Sequence, residues 1–281
     1  MVVTLFEALD YAFFQRALLG GLLTAVATGM LGVFVVQRGL AYLGNGLAHA
    51  SFGGLALGAL IASLTSAQGI LREPLWIALP FTLAVAAAIA YVRDRTRLSS
   101  DTAIGVFFAV SVALGILFLS LIPPDDNVID VWHLLFGSIL AVGPRELVFI
   151  AVMAAMTVAV LTATWGRLAY ATFDEELAQS DGVRVRRLEY GLFLLAAVVV
   201  VVSAQVVGII LLAAYLIIPA ASARLLSTSL LQMTVLAVVF GVATTVIGLF
   251  TSYLADVPSG AAIVLLQAAL FAVAALISRR P

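Results

Sequence analysis

Cysteine and lysine are both absent from this chain, and histidine occurs only 2 times. Without cysteine there is no disulfide and no thiolate metal site. Without lysine there is no nucleotide-binding loop of the G-x-x-x-x-G-K-[ST] kind, so an ATP-driven step needs an ATPase on a separate chain. Nothing in the chain reads as an enzyme. Charge is scarce as well. Charged residues make up 10% of the sequence, against roughly 25% in a soluble domain. A formal net charge of −1 offers no basic surface for nucleic acid. No polar stretch exceeds about two dozen residues, which is too short for a soluble domain. The N-terminus has no basic segment leading into a short apolar core and a small-residue cleavage site, so no cleaved signal peptide is expected.

What is present is apolar. Hydrophobic residues make up 64% of the 281 residues, and mean hydropathy is +1.20. Long apolar runs without alternation predict helices rather than a transmembrane barrel. The chain therefore reads as an all-α, polytopic helical bundle in the lipid bilayer, one transmembrane domain over 1–281. Spans are expected near 17–36, 47–65, 75–92, 102–122, 146–165, 189–206, 207–226, 231–251 and 260–278, about nine in all. The run 131–142 is too short to cross and reads as a re-entrant or interfacial piece. Arginine orients the bundle. Arg93, Arg95 and Arg97 form one cluster, Arg167, Arg184, Arg186 and Arg187 a second, and Arg279 and Arg280 a third. Placing all three in the cytoplasm is consistent with alternating spans. It leaves the N-terminus, Asp125, Asp126, Asp130 and Asp256 outside.

The segment 44–58, GNGLAHASFGGLALG, concentrates the chemistry. His49 stands at the mouth of an apolar span, with Asn45 four residues before it and Ser51 two after. A neutral imidazole in a membrane segment is a metal-ligand candidate; a histidine bonded to a neighbouring helix is the plain alternative. Asn45 and His49, at i and i+4, share one helix face. Gly53, Gly54 and Gly58 would let other helices approach closely. Further pathway or entry candidates are Asp130 with His133 near the outer face, Asp101 at the start of a span, and Gln205 in a late one. His133 also fits an ordinary amphipathic role, and Asp101 an N-cap. Pro219 would free a backbone carbonyl in its helix.

The longest polar stretch, 166–188, is cytoplasmic in this topology. Asp174 can cap a short helix whose first turn holds Glu175 and Glu176, which suits the helix dipole. Gly182 suits its C-terminal stop. Such a surface helix is a docking candidate for an ATPase; an ordinary solvated loop is the alternative.

Six segments, in order, carry a resemblance. They are LGVFVVQRGLAYLGNGLAHASFGG at 31–54, SDTAIGVFFAVSVALGI at 100–116, LFGSIL at 135–140, FDEELAQSDGVRVRRLEY at 173–190, QVVGIILLAAYLIIPAASARLL at 205–226 and SYLADVPSGAAIVLL at 252–266. Together they resemble the membrane permease subunit of ATP-driven zinc/manganese importers, over nearly the whole chain. The resemblance implies a prokaryotic cell-membrane assembly of two permease copies, two ATPase subunits and one external metal-binding protein. The transported ion would be Zn2+ or Mn2+, with zinc expected first, and no cofactor would be held by this chain. It also implies a coupling helix at Asp174, Glu175, Glu176, Ala178 and Gly182, and a metal motif G-D-x-L-A/S-H-A at 44–50. Here Asn45 stands where that motif has Asp, and a neutral carbonyl oxygen binds a hard dication less well than a carboxylate. The other function classes open to the sequence are an ion-coupled secondary transporter or channel, and an ATP-driven permease for a chelate such as a siderophore or cobalamin.

Overall fold

The computed structural model describes residues 7–65, 74–96, 98–123 and 139–278. In a bilayer every backbone polar group must be satisfied within its own segment, so an apolar chain of this kind is driven into helices. The helices are α1 (Ala12–Gln37), α2 (Tyr42–Thr65), α3 (Leu75–Arg95), α4 (Ser100–Ser120), α5 (Pro144–Phe173), α6 (Glu175–Ser180), α7 (Val185–Val207), α8 (Ile209–Leu226), α9 (Leu230–Ala255) and α10 (Ser259–Ile277). Single 3-10 turns occupy Glu7–Asp10 and Ile139–Ala141. Among the described residues, 8 helices are long and apolar enough to cross a membrane, and α8 supplies a shorter apolar stretch, Leu212–Leu226.

Two boundaries differ from the sequence reading in ways that matter. First, α2 begins at Tyr42, not near 47, so Asn45 and His49 lie in one continuous helix. Second, α5 runs for 30 residues to Phe173. At about 1.5 Å per residue it is longer than the hydrocarbon core. The first part of the polar stretch 166–188 is therefore the projecting end of α5, and its last residues open α7.

Side-chain contacts show which helix ends share a side. Arg38, the C-cap of α1, donates to Glu189 in the second turn of α7, and Arg93 from the last turn of α3 reaches the same carboxylate. Arg38 also donates to Thr172 at the end of α5. Arg224 in the last turn of α8 donates to the Val36 carbonyl at 3.4 Å, and Ser278 after α10 donates to the Leu225 carbonyl at 3.2 Å. Gln37 approaches Met233 near the start of α9. So α1, α3, α5, α8 and α10 end where α2, α7 and α9 begin. Helix α4 runs in the same direction as α2, since Gly46 faces Ile104 and Gly53 faces Ser111. The nine apolar helices alternate in direction, as expected. Most arginines, Arg38, Arg93, Arg95, Arg167, Arg184, Arg186, Arg187 and Arg224, gather at this one end, with Arg16 and Arg145 at the other. The positive-inside rule makes the arginine-rich end cytoplasmic.

Packing in lipid depends on close backbone approach rather than on a hydrophobic drive. A Cβ on Gly54 would lie 2.7 Å from the Ala78 Cα, and one on Gly58 would lie 2.8 Å from the Pro74 Cα, so α2 and α3 touch backbone to backbone. Helix α1 sits at the centre, with Leu31 and Phe34 fully buried and Phe34 edge-on to Trp165 at 5.3 Å. Tyr215 on α8 is also fully buried, and its hydroxyl pairs with Thr245 at 2.7 Å.

Candidate metal path and coupling surface

The metal candidates are built on the α2–α4 pair. Small residues on both helices set it: Gly46 and Gly53 on α2 face α4, and Gly115 on α4 faces Phe52 and Gly53. This in-register packing brings His49 opposite Phe108, with ring centroids 4.5 Å apart and planes 60° apart. Nδ1 of His49 lies 3.0 Å from the Asn45 backbone carbonyl. A carbonyl only accepts, so Nδ1 donates this bond, and a neutral ring in this tautomer has its lone pair on Nε2. The bond is to its own helix, not to a neighbouring one. Both Asn45 and His49 are half-buried. His49 is seven residues into α2, about 10 Å from the helix's cytoplasmic end. Ser51 is fully buried and turned about 200° round the helix from His49, so it belongs to another face.

Asp101 is exposed in the first turn of α4. The cap is Ser99, whose Oγ accepts the Thr102 N–H at 3.2 Å. Asp101 and Phe108, at i and i+7, share one stripe of α4. Since Gly46 meets Ile104, Asp101 lies about level with Leu43, on the cytoplasmic side of Asn45. Among the described residues no group of 3 or more His, Asp or Glu side chains is placed to hold an ion. Asp130 and His133 fall outside the described residues. Gln205 is in the last turn of α7, and its side chain is likewise outside them.

The second candidate is α6. Asp174 caps it, accepting the Leu177 N–H at 2.9 Å, and Glu175 and Glu176 fill the first turn. Gly182 follows the C-cap with φ +82°. Its N–H bonds the Gln179 carbonyl at 3.1 Å, and the Val183 N–H bonds the Ala178 carbonyl at 2.9 Å. These two bonds are a Schellman motif, which requires the left-handed conformation glycine adopts freely. Tyr170 donates to Asp181 at 2.5 Å and ties the turn to α5. Ala178 points inward and packs with Ala171 and Val185, so it seats the helix rather than facing a partner. The outward face carries features that sequence reading missed: Phe173 is 67% and Leu177 51% exposed, beside Glu175 and Glu176. Phe108 was missed too; its i+7 spacing from Asp101 was the available signal.

The chain is similar to known proteins over nearly its whole length. The model of the ABC 3 transport family matches residues 10–278. The manganese transport system membrane protein MntC of Listeria monocytogenes is 34% identical over 268 residues, which is 95% of this chain and 91% of that protein. The manganese import system permease protein ScaB of Streptococcus gordonii is 34% identical over 269 residues, 96% of this chain and 92% of that one. The solved structure titled PsaBC from Streptococcus pneumoniae in complex with Fab is similar at a TM-score of 0.83 and 31% identity, covering 98% of this chain and 97% of its own. This chain is a multi-pass membrane protein, and it belongs to the ABC 3 transport family.

Proposed function

We propose that this chain is the permease subunit of an ATP-driven importer that carries a divalent transition metal ion into the cell, manganese first and zinc second. The observation that carries the reading is the Asn45–His49 face of α2, where the Nδ1 bond leaves the imidazole's Nε2 lone pair as a ligand. Zinc was the first expectation from sequence. Manganese now leads because both named relatives at 34% identity carry that metal in their names.

The proposed assembly is a permease homodimer with two ATPase subunits on the cytoplasmic side and an external metal-binding protein. The binding protein releases the ion into an outward-open cavity between the two permeases. His49 Nε2 and the Asn45 side-chain oxygen ligate it in passing, with water completing the shell. Asp101 supplies the negative charge that Asn45 lacks, one step nearer the cytoplasm. So sparse a ligand set suits transit, because a full cage would hold the ion. ATP binding closes the ATPases, and α6 passes that motion to the bundle through its acidic turn and the exposed Phe173 and Leu177. The ion-coupled alternative is weakened by where the carboxylates are. Among the described residues, Asp94, Asp101, Glu146, Glu189 and Asp256 all lie at or near helix ends, whereas coupling ions need carboxylates within the membrane.

The test is His49→Ala in the reconstituted importer. Manganese uptake is expected to fall at least about tenfold, with the ATPase still bound and the permease still folded. Uptake at the wild-type rate would put the transit ligand elsewhere.

A further inference from the structure

Glu189 holds two guanidiniums on one carboxylate oxygen, Arg38 Nη1 at 3.1 Å and Arg93 Nη1 at 3.0 Å. The Arg38–Glu189 pair is secluded, with side chains 6% and 19% exposed, and Arg93 is 26% exposed. Arg38 Nε donates to Thr172 Oγ1 at 3.0 Å, and its Nη2 is buried with no partner among the described residues. Burial holds the Arg38 pKa below its ordinary value, and the Glu189 carboxylate offsets only part of that.

The attachments of this cluster give it a direction. Thr172 lies two residues before the α6 cap and Glu189 in the second turn of α7, so both roots of α6 are gripped. Arg38 opens the turn from α1 to α2. That turn is a second Schellman motif, with Gly39 at φ +67°, Gly39 N–H to the Val36 carbonyl at 3.2 Å and Leu40 N–H to the Val35 carbonyl at 2.8 Å. Such a turn is stiff, and Asn45 follows one turn into α2. Arg93 adds the end of α3. A buried ion pair gives little net stability over apolar packing of the same volume. What it gives is direction: a forked guanidinium fixes distance and angle, whereas apolar surfaces slide. Removing one partner strands the other charge in the interior. The neighbouring pair Arg186–Asp94 joins α3 and α7 at the same end, but its side chains are 56% and 27% exposed, where water screens the attraction.

We propose that Arg38, Glu189 and Arg93 are positioning residues forming a mechanical link. The link makes the α1–α2 turn, and with it the Asn45–His49 face, move with the roots of α6. It rests on the reading of α6 as the ATPase contact. Without it the ATPase runs while the metal path stays still.

The experiment uses the whole importer in liposomes, with Mn2+ as the probe, and reads metal ions moved per ATP hydrolysed. Glu189→Gln keeps the shape and removes the charge. It is expected to retain the ATPase and to hydrolyse ATP within about twofold of wild type, while Mn2+ per ATP falls at least about fivefold. Glu189→Asp recovers part of the ratio, and Arg186→Gln leaves it unchanged. A merely structural role would lower assembly, hydrolysis and uptake together and leave the ratio intact; that result overturns the proposal. So does an equal fall in Arg186→Gln. If Glu189→Gln does not assemble, Arg93→Gln, at a side chain 26% exposed, removes one arm and carries the same expectation. The α6 reading fails separately, if Gly182→Trp still binds its ATPase and is stimulated normally.

Discussion

Gly32 on α1 sits where no side chain fits. A Cβ there would fall on the Leu216 backbone carbonyl of α8 and lie 3.3 Å from the Ala220 Cβ. The atom met first is backbone, so it cannot swing aside. To reach ordinary contact the two helices would have to part by about an ångström. Helix α8 has little room to retreat, because Leu216 also presses on the first turn of α2, where a Cβ on Gly44 would lie 2.9 Å from its Cδ2. Overpacking of this kind costs about 1–3 kcal/mol, and a backbone clash belongs at the upper end. Alanine returns about 0.5–1 kcal/mol of helix propensity. The net expectation for Gly32→Ala is a loss of about 1–2 kcal/mol, or about 2–8 °C in Tm for a chain of this size class. Two controls bracket it. At Gly29 a Cβ would lie 3.1 Å from the Val238 Cα, also backbone but less close, so Gly29→Ala should fall between Gly32→Ala and a gain. At Gly166 nothing lies within 4 Å, so Gly166→Ala should raise Tm. Thermal unfolding of the three purified variants in one detergent measures the series. Because Gly44 precedes Asn45, Gly32→Ala should also lower metal uptake per folded molecule. If Gly32→Ala gains as much Tm as Gly166→Ala, the α1–α8 contact is wrong and so is the wedge beside the metal face.

The remaining predictions concern the path and the coupling surface. Asn45→Asp should tighten equilibrium binding of both manganese and zinc and slow release, because a carboxylate is hard to part from a dication; equal affinities would show that residue 45 does not face the ion. Gly182→Trp forces a bulky side chain into the left-handed region, at about 1–2 kcal/mol of local strain, into space with nothing within 4 Å. The bundle should therefore stay folded, with a Tm loss no larger than that of Gly32→Ala, while ATPase binding and stimulated hydrolysis fall. Retention of both would move the contact to the Arg93–Arg97 loop.

Much of this was legible in sequence because membrane physics leaves few choices. Apolar runs marked the eight described helices long enough to cross and the shorter α8, and arginine placement marked their direction. The division of 189–226 was the least legible, because a lone glycine in an apolar run does not mark a boundary; the structure puts it at Gly208, with φ +88° between α7 and α8. The α6 cap and stop were legible for a local reason: Asp174 and Gly182 act through backbone bonds within a few residues. The start of α2 was not, because Tyr42 to Gly46 are neither apolar enough nor capped in a way that marks a boundary. The end of α5 was hidden for the converse reason, since a helix projecting from the membrane turns polar without stopping. The Arg38–Glu189–Arg93 cluster left no trace at all. Its members are 151 and 96 positions apart, and only the folded bundle brings them together. On the candidate metal face, the shared side of Asn45 and His49 was legible from their spacing, while the His49 hydrogen bond and the Phe108 contact needed the structure.

The most direct test of the account is uptake of radioactive manganese into liposomes that hold the permease, its ATPase and its binding protein. The account predicts accumulation only with ATP and binding protein present, competition that is strong from unlabelled manganese and weaker from zinc, and loss in His49→Ala. Accumulation without ATP, driven by an ion gradient instead, or uptake of a metal chelate but not of the free ion, would contradict it.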